Sequence, residues 1–288
     1  MTDAVVIWGE LLWDRFPDGD RLGGAPANVA WHIAQAGGWA QLITRVGDDA
    51  DGKRAIAQLA DLVDVSLVQI DPERATGEVT VRIEHGEPRY TLHAGRAWER
   101  IACTDAVATA VRDAGVFVYG TLAQRTPAGL REWRRAADVA SRCLRVCDLN
   151  LRPADQNAPA IAYALAIADI IKVNDKELAA LREWLGWADP IAQLRERARV
   201  VAVTHGAAGS TLFGETTVEI AGVPAPPGGD NVGCGDAYLA LLVYGLTHGW
   251  DLAASGRAAS RWAAAVAGVR GATPAFDDAR VAELLEPA

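Results

Sequence analysis

A chain of 288 residues that is 50% hydrophobic and 23% charged can bury a full core, as one large domain or two small ones. Its formal net charge of −9 lacks the basic footprint that nucleic acid or an anionic membrane surface requires, so a small-molecule partner fits better. It has no charge-free apolar run of about 18 residues, and "MTDAVVIWGE" lacks the pattern of a signal peptide, which makes a cytoplasmic location the default expectation.

In chain order, apolar β-branched segments alternate with helical ones. "AVVIWGE" and "AQLITRVG" flank the helical "PANVAWHIAQAGG", and "GKRAIAQLADL" follows. "AGVFVYG", "CLRVCDLN", "ADIIKVN" and "RVVAVTHG" come later, with the amphipathic "PAGLREWRRAADVASR" among them. Continuous apolar strands alternating with helices predict an α/β fold with a mainly parallel central sheet covered by helices on both faces. "TGEVTVRIEHGEPRYTLH" breaks the rhythm. Val79, Val81 and Ile83 alternate with Thr80, Arg82 and Glu84, and a turn at His85-Gly86 makes a hairpin that must pack on something or join other strands such as "ELLWDRF". Cys103, Cys143, Cys147 and Cys234 are irregularly spaced and read as free thiols, with no zinc-ligand pattern.

Two motifs mislead. "GDDADGKR" matches a P-loop except at its last residue, but it sets Asp48, Asp49 and Asp51 against the phosphates and offers Arg54 where magnesium needs a hydroxyl. Gly233-x-Gly235 lies too near the C-terminus for a dinucleotide fingerprint.

Other segments carry more chemistry. Gly23 and Gly24 allow close approach of a ligand, and Asn28 offers a donor and an acceptor about one turn later, a combination that suits a polyol. Asp14 can accept hydrogen bonds from sugar hydroxyls. "KVNDKEL" places Asn174 and Glu177 three apart at a strand-to-helix passage, hard oxygen donors suited to magnesium held through water and phosphate. Asp148, Asn150 and Arg152 recur at spacing two, expected on one side of a strand end, where Arg152 can brace a phosphate or a substrate oxygen. "VTHGAAGS" ends a strand in a turn that either passes close to a nucleotide or is only a turn. In "DNVGCGDAYLALLVYGLTHG", glycines lead into a long apolar helix. Its N-terminus would bind an anion, with Asp236 at the lip.

The order of these motifs resembles the ribokinase-like (PfkB) sugar kinases over essentially the whole chain. "GELLWD", "GGAPANVA" and "DLNLR" make it most similar to the bacterial fructokinase branch. The resemblance implies a single domain over 1–288 with a β lid from about 11–22 and 76–93, a lid that can also join two subunits in a homodimer. It implies Asp236 as catalytic base, with Gly233, Cys234, Gly235 and Asp236 forming an anion hole. Asp14, Gly24, Asn28, Arg96 and Arg152 would hold the sugar. Asn174, Thr204, Gly206 and Gly209 would line the nucleotide site, Asn174 and Glu177 would organise Mg2+, and Asp230 and Gly271 would border a monovalent-cation site for K+. Asn231 and Cys234 depart from the usual Thr and Ala of the motif. The activity implied is ATP-dependent phosphorylation of a small sugar, fructose first. 2-Keto-3-deoxygluconate, ribose or a nucleoside are the alternatives within the fold, and a catalytically silent sugar-binding protein is the alternative outside enzymology.

Overall fold

The computed structural model describes residues 4–84, 87–151 and 157–286, and for 83, 84 and 87–89 the backbone course only. The expected turn at His85-Gly86 and the phosphate-bracing Arg152 therefore lie outside the described residues, as does the side chain of Ile83. In chain order the strands are β1 (Val5–Trp8), β2 (Leu12–Phe16), β3 (Gly19–Gly23), β4 (Ala40–Gly47), β5 (Val68–Asp71), β6 (Gly77–Glu84) and β7 (Glu87–Leu92). There follow β8 (Val116–Tyr119), β9 (Leu144–Asp148), β10 (Ile170–Asn174), β11 (Val200–Thr204), β12 (Gly209–Phe213) and β13 (Thr217–Ala221).

Nine of these form one sheet in the order β13-β12-β11-β10-β9-β8-β1-β4-β5, parallel except where β12 and β13 add an antiparallel edge. Strands β1 and β8 are buried at every residue because both faces are covered. Alternation sorts their side chains. Val5, Ile7 and Val118 enter one core with the helices Ala25–Gln35, Cys234–Thr247 and Leu252–Ala267. Val6, Trp8, Phe117 and Tyr119 enter the other with Asp105–Asp113, Pro127–Val139, Ala158–Ile167 and Asp175–Leu185. Cys103, Cys143 and Cys147 are buried free thiols in that second core, while Cys234 is half-buried.

The remaining strands make a separate sheet, β3-β2-β6-β7, with β2 parallel to β6 and the other pairs antiparallel. Leu12, Val79 and Val81 form its small apolar cluster, flanked by Phe16 and Leu92. Tyr90 of β7 is 55% exposed. It stands directly opposite Val81, yet β7 is an edge strand with a neighbour on one side only, so the ring projects past the cluster.

The "GDDADGKR" segment has a structural task. Asp49 caps the helix Ala50–Leu59 by accepting from Gly52 N at 2.7 Å, and it also accepts from Thr76 N and Oγ1 at 2.8 and 2.7 Å. Gly47 N donates to Thr76 Oγ1 at 3.0 Å. Thr76 immediately precedes β6, so this cluster pins the root of the small sheet to the large one.

Because the Leu12, Val79 and Val81 cluster is separate from both main cores, Val81→Asp should open the small sheet and spare the rest. The expected shift in thermal midpoint is no more than about 4 °C, with amide protection lost selectively in β6 and β7. Hydrogen exchange followed by mass spectrometry, beside a circular dichroism melt, checks both.

Candidate active site

Strands β1, β4 and β8 to β11 run parallel, so their carboxyl ends share one edge, the edge where open α/β sheets present ligand sites. Eight of the ten α-helices among the described residues have a side chain capping the N-terminus. The two without one, Ala25–Gln35 behind Gly24 and Cys234–Thr247 behind Gly233, bring their N-termini together at this edge. Gly24 and Gly233 have φ of 104° and 77°, which glycine alone adopts without strain.

Asp236 is the third residue of its helix, which begins two residues earlier than the lip position expected from sequence. Asn28 Nδ2 donates to Asp236 Oδ2 at 2.8 Å across 208 residues of chain, joining the glycine motif near the N-terminus to the one near the C-terminus. Asn28 Oδ1 is buried and has no hydrogen-bond partner. The backbone N–H groups of Cys234, Gly235 and Asp236 precede the first intrahelical bond, Ala237 N to Gly233 O at 2.8 Å, and are oriented for an anion. Burial, then Asp236 and Asp230, push the Cys234 thiol up to about 11, so it stays protonated beside that site.

Beneath the loop lies a residue that the sequence reading passed over. Lys172 of β10 is 4% exposed, and its Nζ is 3.0 and 3.3 Å from the two oxygens of Asp148, its register partner on β9. A Cβ on Gly235 would lie 2.9 Å from the same Nζ, so the loop rests closely on the ammonium. Burial alone would lower the Lys172 pKa. Asp148, Glu177 and Asp236 outweigh it and raise it above the usual lysine range, keeping the charge. A signal was present: lysine inside "IIKVN", a strand otherwise apolar on both faces, needs a buried counter-charge.

Asn174 and Glu177 do meet, as a capping box. Asn174 Oδ1 accepts from Glu177 N at 3.0 Å and Glu177 Oε2 accepts from Asn174 N at 2.9 Å. Glu177 Oε1 accepts from Leu151 N at 2.9 Å. Burial, with Asp148, raises the Glu177 pKa against the pull of Lys172 and the two N–H donors. With these oxygens committed to backbone N–H groups, the pair does not fit direct coordination of Mg2+. No cluster of three or more His, Cys, Asp or Glu suited to a metal occurs among the described residues.

The other expected site residues are distributed as follows. Thr204 stands beside Asn174 at the end of β11. The turn after it is a short 3-10 helix, Gly206–Ala208, in which Gly206 has φ of 59°. Gly209 is required by a local constraint, since a Cβ there would strike the Ile220 carbonyl. The glycines of "RLGGAPANVA" likewise make room for the chain itself. A Cβ on Gly23 would strike the Asp14 carboxylate, and one on Gly24 the Glu10 carbonyl. Asp14 lies on β2, opposite Arg21 of β3. Arg96 is committed to Glu78 of the small sheet. Asn150 does not continue the spacing of β9: the strand ends at Asp148 and Asn150 turns left-handed, with φ of 40°. Asp230 and Gly271 are in contact, but Gly271 contributes its N–H, donating to both Asp230 oxygens at 3.2 and 3.3 Å. A larger cavity of about 450 Å³ lies at the opposite edge of the sheet, lined by Arg142, Arg145, Asp169 and Arg199.

Removing the Lys172 ammonium strands two buried carboxylates. Lys172→Met should cost about 3–5 kcal/mol in urea unfolding. Adding Asp148→Leu should recover more than half of that, and equal losses in the single and double variants would contradict the pairing.

The pfkB family carbohydrate kinase model matches residues 19–279. A fructokinase from Klebsiella pneumoniae is 32% identical over 86% of this chain and 86% of its own length. A fructokinase from Salmonella typhimurium is 26% identical over 85% of each chain. An uncharacterized sugar kinase from Pyrococcus horikoshii, solved in complex with ATP, superposes with a TM-score of 0.82 at 26% identity, covering 94% of this chain and 93% of that one. A fructokinase from Xylella fastidiosa shares the fold with a TM-score of 0.89 at 22% identity, covering 99% of each chain. With the family motifs converging on one strand edge, the chain belongs to the pfkB family of carbohydrate kinases and is a phosphotransferase with an alcohol group as acceptor.

Proposed function

We propose that the protein transfers the γ-phosphoryl group of ATP to a hydroxyl of fructose. The observation that carries this reading is the 2.8 Å contact between Asn28 and Asp236, which joins the two uncapped helix N-termini. In this reading Asp14, Gly24 and Asn28 hold the sugar. The buried Oδ1 of Asn28, which lacks a donor, accepts from one of its hydroxyls as the small sheet closes. The similarity to fructokinases from several bacteria favours fructose, and the relative solved with ATP favours that donor.

The chemistry follows from the placement of Asp236. Its carboxylate accepts the proton of the attacking hydroxyl as the oxygen–phosphorus bond forms and the bond to the leaving diphosphate breaks. The N–H groups of Gly233 to Asp236 face the charge spread over the transferring phosphoryl oxygens, and they do so without reorganising. Lys172 adds a fixed positive charge under Gly235. Thr204, beside Asn174 at the strand end, and Gly206 and Gly209 in the turn that follows would line the nucleotide. Magnesium would be held through water and the nucleotide phosphates, since the Asn174 and Glu177 oxygens are already engaged. Closure of the small sheet over the sugar would exclude water as a competing acceptor. The cytoplasm, where sugar and ATP are both available, suits this activity, and no helix among the described residues is long and apolar enough to cross a membrane.

Asp236→Asn keeps the shape and cannot take the proton, so kcat should fall at least about a hundredfold with the fold unchanged. ADP release measured over a panel of fructose, 2-keto-3-deoxygluconate, ribose and nucleosides, with NMR of the product, tests the substrate. A higher kcat/KM for any other member would replace fructose, and binding without turnover of all of them would overturn the kinase reading.

A further inference from the structure

Helix Ala25–Gln35 carries a polar stripe at Asn28, Trp31, His32 and Gln35, the spacing of one helical face. Asn28 reaches Asp236. The other three reach a single segment near the C-terminus. Trp31 Nε1 and Gln35 Nε2 donate to the Pro274 carbonyl at 3.2 and 2.9 Å, and His32 Nε2 lies 2.8 Å from the Ala272 carbonyl oxygen.

His32 is fully buried, and both its ring nitrogens are used. The Trp262 indole N–H points at Nδ1 from 3.1 Å, and an indole nitrogen can only donate. Nδ1 is therefore the acceptor, Nε2 carries the proton, and the bond to Ala272 runs from ring to carbonyl. Burial, against the pull of the Ala272 carbonyl, holds the ring pKa down to about 4, so the ring is neutral at neutral pH. One arrangement of the imidazole satisfies both partners.

The carbonyl it holds belongs to the wall behind the anion hole. A Cβ on Gly233 would lie 2.5 Å from Ala272 Cβ and 2.7 Å from its Cα, so the helix-leading glycine closes directly on Ala272. The preceding Gly271 donates to Asp230, whose Oδ1 also accepts from Val232 N at 3.1 Å. The loop from Asp230 to Gly233 is thus shaped against residues 271 and 272, and these are set by His32. The bland alternative is a core histidine that happens to be satisfied. Against it stands the target, a backbone carbonyl packed on the N-cap of the helix that carries Asp236.

We propose that His32 is a positioning residue for phosphoryl transfer: its Nε2–H bond to Ala272 fixes the wall on which Gly233 closes, and keeps the anion-hole N–H groups in register with the Asp236 that Asn28 holds from the same helix. The proposal rests on the reading of Asp236 and Gly233 to Asp236 as the catalytic site. It assigns to Asn28 and His32 of one helix the alignment of the carboxylate and of the N–H groups, which both lie more than 200 residues further along the chain.

The test uses the full-length protein with ATP, Mg2+ and its best sugar, at a temperature where circular dichroism shows every variant folded. His32→Phe keeps an aromatic ring and removes the donor. Its kcat should fall about tenfold or more through misalignment, with both KM values within about twofold. His32→Gln can still donate to Ala272 and should return kcat to within about threefold of wild type. Amide exchange at Gly233 to Asp236 should quicken in His32→Phe and not in His32→Gln. A wild-type kcat in His32→Phe overturns the proposal, and so does an equal loss in both variants. If His32→Phe does not fold, Trp262→Phe, which frees Nδ1 and lets the ring change tautomer, takes its place: a several-fold loss of kcat at constant KM supports the proposal, and unchanged kcat overturns it. Asp236→Asn in the same assay separates the two readings. Turnover retained there means that the site is wrong, whereas a dead Asp236→Asn beside normal His32 variants means that only the His32 link fails.

Discussion

A buried ammonium organises the carboxyl edge of the sheet. Lys172 can stay charged in the interior only because Asp148 stands opposite it on the next strand, and Glu177 and Asp236 add to the negative field around it. Each partner is then fixed in turn. Glu177 is held by two backbone N–H groups and cannot swing away, which ties the strand end to the start of helix Asp175–Leu185. Gly235 packs on the ammonium, since a Cβ there would lie 2.9 Å from Nζ. One charge thereby links two strands, a helix start and the loop that leads into helix Cys234–Thr247.

The chemistry gathers where secondary structure leaves its own groups unmet. Most α-helix N-termini among the described residues are closed by Asp, Asn or Thr, which accept from an N–H group of the first turn. At Gly24 and Gly233 no such side chain caps the helix, and the two glycines, at positive φ, lead into helix starts that meet at the Asn28–Asp236 contact. The small sheet stands over the same edge. It is joined to the large one by apolar and polar contacts: Trp13 and Leu22 enter the core that holds Ile7 and Val118, Arg15 pairs with Asp51, the Trp13 indole donates to the Asp51 carbonyl at 3.0 Å, and Asp49 grips Thr76 at the root.

Local pattern made much of this legible. The parallel sheet was readable because strands covered on both faces must be apolar throughout, and "AQLITRVG" coincides with β4 residue for residue. The segment "GDRLG", which forms β3, carries no β-branched residue, and "VQID", which forms β5, is only four residues long; both become strands because neighbours supply their hydrogen bonds. The Asn-x-x-Glu signature at 174–177 was visible, but it serves first as a capping box. That use was open to sequence reasoning, since the motif also describes a helix start.

What the sequence by itself determined is everything governed by neighbours along the chain: the α/β alternation, the glycines at left-handed turns, the apolar helix after Asp236 and the order of the family motifs. Only the tertiary structure decided which polar groups meet. A lysine in a strand carries no mark of the carboxylate that will face it, a histidine in a helix none of the carbonyl it will hold, and Asn28 none of Asp236, since each partner arrives from a distant segment. In a dry interior an unpaired polar group is costly, so these pairings are fixed as firmly as the core. They depend on where the folded backbone brings each group, and so lie beyond any local pattern.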